Sequence, residues 1–151
     1  MVESSELIAP HGGTLIDLMI TDEAERYDLV EKAKTLPKWE LDERGLADLE
    51  CIATGVYSPL TGFAVEADYN SILKSMRLVT GIIWPIPITL QVDEEFAAQL
   101  KEGSEISLTK EDSHLAILKI SSIYRPDRTE ESRSVYRTDD QAHPGVVAIF
   151  K

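Results

Sequence analysis

The chain has 151 residues, of which 43% are hydrophobic and 28% charged. That is enough for a domain burying roughly two-thirds of its unfolded surface, and too apolar for a disordered segment. The formal charge of −12 repels phosphate backbones at long range and counts against nucleic acid as a partner. No apolar run approaches the ~20 residues of a membrane span, and no basic segment leads an apolar one at the N-terminus, so the expectation is a cytoplasmic chain with no membrane partner.

Taken in chain order, Gly12-Gly13-Thr14 reads as a tight bend that delivers Leu15, Ile16 and Leu18 into a core. Thr21 followed by Asp22 and Glu23 looks like a helix start, a hydroxyl cap with acids in the positive first turn. Leu29, Ala33 and Leu36 recur at helical spacing, Asp28 and Lys32 are placed to pair at i, i+4, and Pro37 closes the helix. A second helix is expected over residues 42–54, with Leu46, Leu49 and Ala53 on one face and Gly55 as a left-handed cap. A third spans about 65–77, where Val65, Tyr69, Ile72, Leu73 and Met76 form a wide apolar stripe.

After Leu78 the period changes. Ile86, Ile88, Leu90 and Val92 alternate within 82–92, which predicts a strand placed at an edge or irregular at its start, because Pro85 and Pro87 cannot donate to a ladder. A short helix over 93–101 ends before Gly103. Ile106 and Leu108 suggest a strand, and residues 115–123 another, joined through Glu111, Asp112 and Ser113. Thr129, Glu130 and Glu131 open a last short helix. No repeat or linker interrupts this order, so residues 1–151 read as one domain, and helices followed by strands argue for α+β with an antiparallel sheet.

The search for chemistry returns little. His11, His114 and His143 lie far apart in sequence, without ligand spacing, and the lone Cys51, expected as a buried structural thiol, builds neither a thiolate site nor an internal disulfide. No metal or cofactor is therefore expected. Ser58 precedes a proline in a turn rather than standing on a Gly-x-Ser-x-Gly elbow. Gly12 and Gly13 are not part of a P-loop. Asp139-Asp140 and Asp93-Glu94-Glu95 are carboxylates adjacent in sequence, pointing apart or opening turns and helices.

Charge is unevenly spread. Residues 1–75 carry 15 acids and 6 bases, and residues 76–151 carry 12 acids and 9 bases. Arg125, Arg128, Arg133 and Arg137 form a local basic group that faces either an anionic partner or, balanced by Glu130 and Glu131, only water. The apolar tail Val147-Ala148-Ile149-Phe150 is a liability in water unless it pairs with the chain's own sheet or meets a partner.

Two stretches then stand out: Asp48-Leu49-Glu50 running into Gly55-Val56-Tyr57-Ser58-Pro59-Leu60-Thr61-Gly62-Phe63, and Met76-Arg77-Leu78 followed by Gly81, Trp84, Ile86, Pro87 and Ile88. With Pro10-His11-Gly12-Gly13 and Thr138, Asp140, His143-Pro144-Gly145-Val146, their order resembles the N-terminal, PUA-like domain of ATP sulfurylase (sulfate adenylyltransferase). The resemblance spans nearly the whole sequence. It implies a small PUA-like β-barrel flanked by helices and a link to sulfate activation and sulfur metabolism.

In that family sulfate attacks the α-phosphate of ATP, giving adenylyl sulfate and pyrophosphate. The phosphates are held in a second domain by a Gln-x-Arg-Asn strand end, a His-x-x-His helix start and a Gly-Arg-Asp loop. None of these occurs here, so no catalytic residue carries over, and the expectation is a non-catalytic half without the domain that follows His143-Pro144-Gly145. The resemblance makes that segment a seam. A candidate interface is thus Arg125, Arg128, Arg133, Arg137, His143, Pro144 and Phe150, meeting a separate catalytic ATP-sulfurylase chain or a second copy. The alternative is a stand-alone PUA-like RNA-binding or regulatory module, which the acidic charge and the absence of a basic-aromatic stripe disfavour.

Overall fold

The computed structural model describes residues 7–150. The chain packs as two compact units, one formed by Met1–Phe63 with Glu105–Leu118, the other by Ala64–Ser104 with Lys119–Lys151. Helices and a three-stranded sheet give the α+β class expected from the sequence.

In the first unit, α1 (Glu23–Ala33) is capped by Asp22, whose side chain accepts from the Glu25 amide at 2.8 Å. The cap sits one residue later than Thr21 because a carboxylate is both an acceptor and a charge matched to the helix's positive end. Lys32 pairs with Glu105 at 2.7 Å rather than with Asp28. Asp42 caps α2 (Glu43–Ala53) by accepting from the Gly45 amide at 2.7 Å. Ile52 is the buried apolar residue of α2, and Leu46 and Leu49 are half-buried. Cys51 is also half-buried, less enclosed than the sequence suggested.

Strand β1 (Lys38–Glu40) pairs in parallel with β2 (Glu105–Lys110), in the register Lys38 to Ser107, Trp39 to Leu108 and Glu40 to Thr109. The expected sheet was wholly antiparallel. Strands so distant in sequence are free to run parallel because the long connection supplies a crossover. Beside β2 lies β3 (Ser113–Lys119). The connecting Glu111 and Asp112 both have positive φ, 46° and 64°, the conformation that matches a hairpin turn to strand twist. Ile106 and Leu108 are 1% exposed and Leu41 2%; burying each contributes about 1.5–3 kcal/mol. The three strands do not close a barrel among the described residues.

In the second unit, α3 (Glu66–Ser75) buries Tyr69 and Ile72. Met76 leaves the expected stripe: it is the left-handed cap, φ 54°, and is 42% exposed. The strand expected over 82–92 is absent. A single bridge joins Arg77 and Ile83, followed by extended chain in which Pro87 and Ile88 are buried. Prolines two apart remove two ladder donors, and the apolar alternation is used for packing without a ladder. Helix α4 (Glu94–Ala97) is capped by Asp93 and ends four residues earlier than expected. Helix α5 (Arg128–Tyr136) opens at Asp127, which accepts from the Glu130 amide at 2.9 Å. The apolar tail is not a strand either: α6 (Pro144–Phe150) buries Val146 and Ile149. Pro at its first position suits a helix start.

Candidate functional site

Every residue of the expected interface lies in the second unit, on or beside α5 and α6, which pack on each other while α3 packs on α5. The platform beneath them is polar and fully partnered. The Tyr69 hydroxyl donates to Glu131 Oε2 at 2.9 Å, and its ring meets that of Tyr124 at 5.3 Å, tilted 47°. The Tyr124 hydroxyl donates to the Ala64 carbonyl at 2.8 Å. Burial first, and then the Glu131 charge, push both phenols well above the ordinary tyrosine range, so both stay protonated donors. Ser132, fully buried, returns its hydroxyl to the Arg128 carbonyl at 2.8 Å.

The basic group is more neutralised than its sequence suggests. Arg125 pairs with Glu94 at 2.9 Å, both side chains over 80% exposed. Arg128 donates to the Phe150 carbonyl at 3.2 Å, satisfying a free carbonyl at the negative end of α6. Arg133 makes two hydrogen bonds to Asp139 Oδ2, at 2.9 and 2.6 Å, through Nε and Nη2. Those bonds and the guanidinium charge hold the Asp139 carboxyl below the usual range. Arg137 ends α5 in the left-handed conformation, φ 60°, and its side chain is exposed. Glu130 accepts from the Ser134 hydroxyl at 2.9 Å, and Glu131 accepts from the Tyr69 hydroxyl.

His143 lies against Tyr136, ring centroids 5.1 Å apart, and its Nδ1 accepts from the Gly145 amide at 3.2 Å. Gly145 is needed there: an added Cβ would lie 2.5 Å from the Tyr136 ring. The structure therefore brings Arg128 to Phe150, and His143 to Tyr136. Arg125 and Arg133 are each tied to an acid. Phe150 is 42% exposed and Val147 39%, leaving an apolar strip on the outside of α6.

A second ordered group, in the first unit, explains the most recognisable motif. Gly55 follows the Thr54 cap of α2 with φ 82°, as the sequence predicted, and a Cβ there would collide with the Ile16 carbonyl oxygen. The Ser58 hydroxyl donates to the Gly55 carbonyl at 2.6 Å and accepts from the Ile16 amide at 2.9 Å. Sequence reasoning missed this clasp; the signal was a small polar residue three after a glycine cap. The Ser58–Pro59 peptide is cis. The segment the clasp holds is not core: Leu15 is 62% and Leu18 43% exposed. Gly12 and Gly13 do form the expected bend, with the Gly13 amide donating to Pro10 at 2.8 Å, but the bend leads along a surface. Nearby, the Asp48 carboxylate accepts from the Tyr57 hydroxyl at 3.4 Å and lies 3.8 Å from Arg44.

Ser107 Oγ lies 2.7 Å from His114 Nδ1. Ser107 is fully buried, so its hydroxyl is closed to any substrate, while His114 is half-buried. Among the described residues no group of three histidine, cysteine or acidic side chains is placed to hold a metal. No helix there is long and apolar enough to cross a membrane.

A family model described as a PUA-like domain matches residues 8–151. The chain belongs to the PUA-like domain family. As a PUA-like chain it is also similar to sulfate adenylyltransferases, whose N-terminal region it matches. It is 45% identical over 151 residues to that of Trichormus variabilis, covering 99% of this chain and 38% of the relative. It is 47% identical over 148 residues to that of Chloroflexus aurantiacus, covering 98% of this chain and 37% of the relative. The chain thus spans well under half of the curated relatives it matches. Among solved structures it superposes with TM-score 0.72 and 37% identity on the hexameric APS kinase from Thiobacillus denitrificans, over 80% of this chain and 24% of that one.

Proposed function

We propose that this PUA-like chain, residues 1–151 acting as one domain, is the non-catalytic docking half of a cytoplasmic sulfate adenylyltransferase. Its partner is the part of such an enzyme that lies beyond the matched region. The observation that carries this is identity of 45–47% across almost the whole chain to enzymes of which it spans only 37–38%. The docking face is α5 with α6. Arg137, Pro144, Val147 and Phe150 are its outward groups, while Arg128 and His143 hold its shape. Interfaces favour arginine and aromatic anchors over lysine and glutamate, and such anchors dominate binding energy when truncated.

The test is calorimetric titration of this chain against a Trichormus variabilis sulfate adenylyltransferase shortened by its matching N-terminal region. Binding is expected, and Phe150→Asp or Arg137→Glu should weaken it at least about tenfold, equivalent to ~1.4 kcal/mol. No binding, or binding indifferent to both changes, rules the proposal out. Salt-sensitive retention on RNA in place of that binding turns the assignment toward a nucleic-acid module.

A further inference from the structure

Helix α6 begins on a ring where most helices place a hydroxyl or a carboxylate. The His143 carbonyl accepts from the Val147 amide at 3.0 Å, closing the first turn. Pro144 takes the first helical position, where a missing amide leaves nothing unpaired. Next comes the Gly145 amide, one of the donors that a helix cannot satisfy internally. His143 Nδ1 receives it at 3.2 Å. Tyr136 of α5 steadies the ring, centroids 5.1 Å apart. His143 is exposed, so solvent protons reach it.

The direction of that bond fixes the state of the ring. A backbone N–H only donates, so Nδ1 offers a lone pair and the imidazole is neutral, with its proton on Nε2. An imidazolium carries N–H at both nitrogens and would turn a donor toward a donor. It would also add positive charge to the positive end of α6. Around the ring, α5 supplies the Tyr136 phenol, Arg133 and the exposed Arg137, and the loop before α6 supplies Asp139 and Asp140; α6 carries no charge. Asp139 is held by Arg133, and Asp140 Oδ1 accepts from the Ala142 amide at 2.9 Å.

We propose that His143 is a pH-sensitive cap of α6. Neutral, it holds the first turn of α6 against α5. Protonated, it releases the Gly145 amide, is drawn toward the Asp139 and Asp140 carboxylates, and loosens that turn with the Val147 surface it presents. The far end of α6 is tied separately, by Arg128 on the Phe150 carbonyl, so the change begins at the first turn. Imidazole is the side chain that ordinarily changes charge between about pH 5 and 8. That loosening weakens docking rests on the α5–α6 face being the docking face, as proposed above; the cap does not.

Amide hydrogen exchange on the full chain at pH 7.5 and pH 5.5, corrected for the intrinsic pH dependence of exchange, reads the cap directly. Protection over residues 145–149 is expected to fall at least about threefold at the lower pH relative to that of α3. His143→Asn, whose side-chain oxygen caps a helix without titrating, should abolish the fall; His143→Ser serves if that variant loses its fold. His143→Ala should show the low protection at both pH values. Unchanged protection in the wild type, or a fall that persists in His143→Asn, overturns the proposal. Calorimetric titration against the shortened sulfate adenylyltransferase reads the consequence: affinity should drop at least about threefold between the two pH values for the wild type and not for His143→Asn. No docking at either pH removes the docking reading, while exchange still decides the cap. Docking equally tight at both, with exchange altered, overturns the control of docking by His143.

Discussion

At Gly55 one missing Cβ decides two things at once: the α2 helix ends, and the segment before it can approach. A valine there meets two separate costs. A β-branched residue resists φ 82°, at about 1–3 kcal/mol, and its Cβ would displace the Ile16 carbonyl. Gly55→Val is expected to lose at least that much stability in urea unfolding; a loss within experimental error would mean that the segment simply moves aside. Asp48 offers a second test. Burial, opposed by Arg44 and Tyr57, raises its carboxyl above the ordinary range. A raised acid in the fold is penalised when ionised. The stability associated with its protonated form is present at low pH and lost as pH rises through the raised value. Asp48→Asn should therefore raise the melting temperature at pH 7 and have a smaller effect near pH 3. A variant destabilised more at pH 7 than at pH 3 contradicts the sign.

Elements were legible where their causes are local. Helical periodicity marked α1, α2 and α3 in the sequence; the caps Asp22, Asp42, Asp93 and Asp127 each accept from an amide three residues on, which sets the cap of α1 one residue after Thr21 and starts α5 ahead of the expected Thr129. Where the expectation failed, a distant contact decided. The alternation over 82–92 has the period of a strand, yet Pro85 and Pro87 leave it no ladder. A short apolar run such as Val147-Ala148-Ile149-Phe150 fits strand and helix equally, and only packing on α5 selects helix. The sequence offered the interface residues only as candidates, and it did not reveal the pairing of Arg125 with Glu94 or of Arg133 with Asp139, because those partners are set by packing. The α5–α6 junction can be tested directly. Gly145→Ala forces a methyl group to within 2.5 Å of the Tyr136 ring, an overpacking that costs typically about 1–3 kcal/mol. Hydrogen exchange should show α6 amides losing protection before those of α3. Tyr136→Leu in the same chain should recover part of the loss; if it recovers none, the clash is not the cause.

For the molecule as a whole, adenylyl transfer between sulfate and ATP demands several cationic and amide donors converging on phosphates. This chain has no Gln-x-Arg-Asn, His-x-x-His or Gly-Arg-Asp sequence. Three of its four arginines near α5, Arg125, Arg133 and Arg128, are occupied by Glu94, Asp139 and the Phe150 carbonyl. A net charge of −12 further opposes the approach of ATP and sulfate, both anions. Incubated with ATP, sulfate and magnesium, the purified chain is expected to release pyrophosphate at the rate of buffer alone. The same assay with the shortened sulfate adenylyltransferase added distinguishes scaffold from bystander, since a docking half should raise that fragment's activity or thermal lifetime and Phe150→Asp should remove the gain. Adenylyl sulfate made by this chain alone, tracking with the protein through successive columns, would show that a phosphate site has been missed in residues 1–151.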